Sequence, residues 1–176
     1  VEGQALNNAF KAFKEVADRK KQVTALDLEA IVSDEMRERA DAHELTSFEV
    51  VASSEREPVA KVGIKLPSGE EVAGESTGDG PVDAVFRAIQ QATGTDSELS
   101  KYTVEAVTGG EDALGEVTVM LRAAGRLATG QGVATDILEA SARAYVRALS
   151  NALEGAATRE AEAATAGAAV ERTPGP

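Results

Sequence analysis

Leu6, Ala9, Phe10, Phe13, Val16 and Ala17 recur every three to four positions, with Lys11, Lys14, Asp18, Arg19 and Lys20 filling most of the rest. That period predicts an amphipathic helix. Thr24 stands three residues before Asp27, the spacing of a capping box, and opens a second helix expected to turn Leu28, Ile31, Val32 and Met36 toward a partner. The two make a helical hairpin. Between Asp41 and Glu44 the period changes from helical to alternating, which places a boundary near residue 43.

From there Phe48, Val50 and Ala52 alternate with Ser47, Glu49 and Val51, and after Pro58 the residues Ala60, Val62, Ile64 and Leu66 alternate with Lys61, Gly63 and Lys65. These are half-buried strands. Pro67-Ser68-Gly69-Glu70 turns the chain into a third strand, Glu71 to Thr77, which runs into Gly78-Asp79-Gly80. Val82, Val85, Phe86 and Ile89 then stripe a helix ending near Gly94. The order repeats. Tyr102, Val104 and Ala106 alternate, Thr108-Gly109-Gly110-Glu111 turns, Val117, Val119 and Leu121 alternate, and Ala124 to Thr129 is the expected third strand. Gly130-Gln131-Gly132 then matches the first glycine loop about 52 residues earlier, and a helix follows from about Thr135 to Leu153. A three-stranded antiparallel sheet is apolar on one face, so each unit covers that face with its own helix. The reading is an α+β fold. A helical hairpin (1–43) precedes two pseudo-twofold βββα units (44–95 and 98–154), and an Ala- and Glu-rich tail, 155–176, is expected to be disordered.

Composition narrows the function. The 176 residues with 43% hydrophobic content can fill a core, and the absence of cysteine excludes disulfides, thiolate metal sites and a thiol nucleophile. A formal net charge of −12 argues against nucleic acid, whose binding rests on Lys and Arg neutralising phosphates. No apolar run reaches the roughly 20 residues needed to span a bilayer and no signal pattern opens the chain, so the expectation is a cytoplasmic protein without a membrane partner. Val1, with a helix following almost at once, suggests a piece of a longer polypeptide.

His43, the one histidine, has no second histidine or serine neighbour with which to build a metal site or nucleophile pair, and reads as a solvated linker residue. No Walker loop, HExxH, Gly-x-Ser-x-Gly or metal spacing is present, so no catalytic residue, metal or cofactor is assigned. The two glycine loops carry the candidate chemistry. A single Gly-x-Gly is an ordinary turn, but two at equivalent places offer two helix N-termini with free N–H groups and positive dipole ends. Asp83 and Asp136 follow in the first helical turns, either as caps or as partners for a cation. Together these suit a ligand carrying both charges, such as a free amino acid.

The run Asn8 to Thr24 followed by Asp27-Leu28-Glu29-Ala30-Ile31 resembles the helical linker of 2-isopropylmalate synthases and citramalate synthases. Gly78-Asp79-Gly80-Pro81-Val82-Asp83-Ala84 and Gly132 to Tyr145 resemble the two halves of that family's C-terminal regulatory domain. The resemblance implies a domain that forms a homodimer and binds the end-product amino acid, leucine or, in citramalate synthases, isoleucine. It also implies a catalytic TIM barrel elsewhere in the polypeptide, using a divalent metal to condense acetyl-CoA with a 2-oxo acid. The two loops and the turns after them supply the candidate ligand residues: Gly78, Gly80, Pro81, Val82, Asp83, Gly130, Gly132, Val133, Ala134, Thr135, Asp136 and Ile137. Ala134 departs from the polar residue common before Thr-Asp. Two alternatives stay open beside leucine sensing: isoleucine sensing, and a purely structural dimerisation module in which the loops only cap helices.

Overall fold

The computed structural model describes residues 3–20, 22–37, 42–110 and 113–170. The hairpin is α1 (Gly3–Arg19) and α2 (Ala25–Met36). The first unit is β1 (Glu44–Val51), β2 (Val59–Lys65), β3 (Glu71–Thr77) and α3 (Pro81–Thr93); the second is β4 (Ser97–Ala106), β5 (Gly115–Ala123), β6 (Arg126–Ala134) and α4 (Ile137–Val170). This is the expected α+β order. Each unit holds one antiparallel sheet, β1-β2-β3 or β4-β5-β6.

Alternation sends Ala60, Val62 and Ile64 of β2, and Val117, Val119 and Leu121 of β5, into one continuous core with Val85, Phe86 and Ile89 of α3 and Tyr145 and Leu149 of α4. The helices do more than cover their own sheets. Phe86 stacks on Tyr145 at 4.2 Å between ring centroids and meets Tyr102 of β4 edge-on at 6.0 Å, while α4 packs on β1. Such ring pairs add about 0.5–1.5 kcal/mol beyond their buried area. The Tyr145 hydroxyl accepts from Gln90 Nε2 at 2.8 Å and lies 2.7 Å from Ser97 Oγ. The helices are therefore one layer serving both sheets.

The spacing of the units differs from the expected 52 residues. A Cβ on Gly74 would press into the Ala88 carbonyl and stand 2.7 Å from the Ala92 nitrogen; one on Gly130 would press into the Ala144 carbonyl and the Ala148 nitrogen. Each of these pairs is 56 residues apart. The true repeat is thus Gly74 with Gly130, and a stripe Ala84, Ala88, Ala92 with Ala140, Ala144, Ala148. Small residues on strand and helix let the two backbones approach closely.

Several expectations change. Gly130 and Gly132 are interior residues of β6, and Ala124-Gly125 is the two-residue turn before it, with φ of 48° and 71°. The strand starts later and runs further than expected because the glycines on its helix-facing side, Gly130 and Gly132, have the pattern of a loop. In α2 only Ile31 of the four expected apolar contacts is buried; Leu28, Val32 and Met36 are exposed, as are Leu6 and Phe10 of α1. Beyond Leu153, α4 continues to Val170. Nucleation there is already complete, so Ala, Glu and Arg extend an existing helix, and residues 157–164 do so while exposed. Residues 171–176, Asp41 and the turn residue Glu111 lie outside the described residues. His43 is half-buried: its N–H donates to Ser150 Oγ at 3.0 Å and its Nδ1 lies 3.2 Å from the same oxygen, pinning the start of β1 to α4. Burial holds its pKa below the usual value, with Glu154 pulling the other way.

Candidate functional site

The loop from β3 into α3 is closed by glycine. A Cβ on Gly78 would stand 2.7 Å from Asp83 Oδ2 and 2.8 Å from Ala84 Cα. Gly80 takes the N-cap position, Pro81 opens the first turn, and no side chain caps the helix. Space around Gly80 is open, with no heavy atom within 4 Å of the Cβ position. The positive end of α3 therefore faces solvent. Asp83 is already engaged: it accepts the Asp79 N–H at 2.9 Å and pairs with Arg87 Nε at 2.9 Å. Val82 packs half-buried against the core.

The corresponding end of α4 is closed by its own chain. Asp136 Oδ1 accepts the N–H groups of Leu138 at 2.7 Å and Glu139 at 3.1 Å. Val133 is buried with Leu114 and Ile31 of α2, and Ala134 borders the small cavity that Ile31, Leu114 and Val133 line. Thr135 lines the same cavity, of about 40 Å³. Of the second set, Ile137 keeps an outward surface, 37% exposed, with its Cδ1 over Gly115. Gly115 pairs with Ala106 of β4. Two residues back, Val104 is 44% exposed although it stands opposite buried Val117 on the helix side of the sheet, and Leu99 is equally exposed opposite buried Leu121. The edge of β4 thus carries an uncovered apolar row that sequence reading missed, because alternation shows which face is apolar but not whether a helix reaches it.

The hairpin meets the second unit through ionised groups. Asp27, fully buried, closes the capping box by accepting the Thr24 N–H at 2.8 Å, and receives Lys20 Nζ at 2.6 Å and Thr108 Oγ1 at 3.1 Å. Burial alone would raise its pKa; the bonds from Lys20, Thr24 and Thr108 outweigh it and bring the group down to about 2. A carboxyl depressed on folding stabilises the native state above its unfolded pKa, and that contribution goes as pH falls through the folded value. Helicity of the hairpin should therefore be constant above about pH 4 and decline toward pH 2. Circular dichroism of the wild type against Asp27→Asn checks this, since the variant should lack that component.

A cleft of about 630 Å³ lies between α1 and α4, lined among others by Lys11, His43, Gly130 and Arg147; none of residues 78–83 reaches it. Among the described residues no group of three or more His, Asp or Glu is placed to hold a metal, and no helix is long and apolar enough to cross a membrane.

Residues 22–153 match the family model described as LeuA allosteric (dimerisation) domain. The chain belongs to that family. It is 47% identical over 151 residues to a 2-isopropylmalate synthase of Crocosphaera subtropica, covering 86% of this chain and 28% of that protein. The 2-isopropylmalate synthases of Carboxydothermus hydrogenoformans and Chromobacterium violaceum are 46% and 48% identical, with 85% and 83% of this chain and 30% and 28% of theirs covered. The chain thus spans less than a third of the length of these curated relatives. The family match ends at Leu153, where α4 leaves the core, and begins just before α2. In this LeuA allosteric domain the two helix ends differ: that of α3 is open, and that of α4 is sealed by Asp136.

Proposed function

We propose that this chain is the regulatory part of a 2-isopropylmalate synthase, a linker (1–43) and a leucine-binding domain (44–154), and that leucine acts as feedback inhibitor of a catalytic barrel in the same polypeptide. Family membership supports the regulatory role, and the uncapped N-terminus of α3 carries the site. The N–H groups of its first turn receive the amino-acid carboxylate, with Gly78, Gly80, Pro81, Val82 and Asp83 around it. Asp83 or Asp136 attracts the ammonium. Ile137 and the uncovered row on β4 supply apolar surface for the side chain or for a second copy across a homodimer twofold. Gly130 and Gly132 act only through packing, and Val133 and Ala134 through the hairpin.

A second reading, a structural dimerisation module, is favoured by one observation: both carboxylates already have partners within the chain. Calorimetry with leucine, isoleucine and valine decides. Leucine should bind most tightly, and at 100 times its dissociation constant should stabilise the fold by about 2.7 kcal/mol. Flat titrations for all three leave the structural module, and preference for isoleucine moves the chain to the citramalate synthase branch.

A further inference from the structure

Helix α2 is inverted. Its buried positions are Asp27, Ile31 and Asp34, while Leu28, Val32 and Met36 on the opposite stripe face solvent. A helix held by hydrophobic burial shows the reverse pattern. Charge holds this one. Asp27 is bound by Lys20 and Thr108, and Asp34 lies between Arg147, which also donates to the Gln131 carbonyl at 2.8 Å, and Arg143 at 3.8 Å. Arg19 meets Glu139 at 3.5 Å and Arg37 meets Glu116 at 3.2 Å. Lys20–Asp27 closes the hairpin on itself; the other ties run to the second βββα unit. Among the described residues, the apolar cluster beneath them has three buried members, Ile31, Leu114 and Val133, and the main core contains none from α1 or α2.

We propose that the α1–α2 hairpin is a detachable latch on the second unit, closed by the carboxylates of Asp27 and Asp34, which opens while both sheets, α3 and the core-packed part of α4 stay folded. A polar interface over a small apolar cluster separates more readily than a shared core. Removing one partner of a buried pair leaves the other charge stranded, so the docked state is lost without touching the sheets. Open, the latch uncovers Val133, Ala134 and the first turn of α4. Its apolar outer stripe moves with it as a rigid unit. The inference does not depend on which ligand the domain takes.

Native-state hydrogen exchange on the whole chain tests it, in Asp34→Asn and in Thr108→Val, the latter a near-isosteric change made outside the hairpin. In both variants amides of 25–36 should exchange faster by about tenfold or more, with amides of β2, β5 and α3 at wild-type rates. Hairpin amides unchanged in both variants would overturn the latch. So would hairpin and sheet amides accelerating together, because hairpin and core would then be one cooperative unit.

Discussion

Alanine at Gly130 should destabilise the chain by about 3 kcal/mol or more, a fall in Tm of roughly 6 to 12 °C, although it adds a single methyl group. The new carbon meets the Ala144 carbonyl and the Ala148 nitrogen, both backbone atoms of α4, so neither side-chain rotation nor a local shift relieves it. The helix must lift from β6, and with it go contacts of Ala140, Ala144 and Ala148, all fully buried. Gly74→Ala should behave alike in the first unit, where Ala88 and Ala92 stand in the same relation. Gly80→Ala, with open space around it, should cost about 1 kcal/mol or less. Thermal unfolding of the three variants measures this. Equal small losses in all three would mean that the helices do not lie this close to their strands.

Much of this arrangement is legible in the sequence, and the parts that are not have identifiable physical causes. Strands β2 and β5 are legible because apolar residues alternate along them, β3 because the Pro67–Glu70 turn leads into it, and α3 because Val82, Val85, Phe86 and Ile89 keep helical spacing up to Gly94, whose φ of 62° ends it. Strand β6 was not legible. Glycine raises two physical possibilities, a turn or a close approach, and only the facing alanines of α4 decide between them. The two Gly-x-Gly motifs therefore align at 52 residues, whereas the packing repeats at 56. The charged interior of α2 was hidden for a related reason. Leu28, Val32 and Met36 make a convincing apolar stripe, and nothing local reveals that Arg143 and Arg147, more than a hundred residues away, turn the other stripe inward.

Gly80 and Gly132, each the second glycine of a Gly-x-Gly, should respond oppositely to aspartate. At Gly132 the side chain would drive into the Ala140 carbonyl, with the Ala144 nitrogen 2.9 Å away, so Gly132→Asp should lose the fold and says nothing about a ligand. At Gly80 the backbone is extended, with φ of −151°, and the space is free. Aspartate is a preferred N-cap residue, so its carboxylate would accept the first N–H groups of α3 and satisfy the dipole. The fold should then be equally stable or more stable by a few tenths of a kcal/mol. If the amino-acid carboxylate occupies that same place, leucine affinity should fall at least tenfold, about 1.4 kcal/mol, by displacement and like-charge repulsion. A rise in Tm together with a loss of binding is a combination that general damage does not produce. Calorimetry and thermal unfolding on one sample of Gly80→Asp measure both quantities, and unchanged leucine affinity would reduce the α3 loop to a turn.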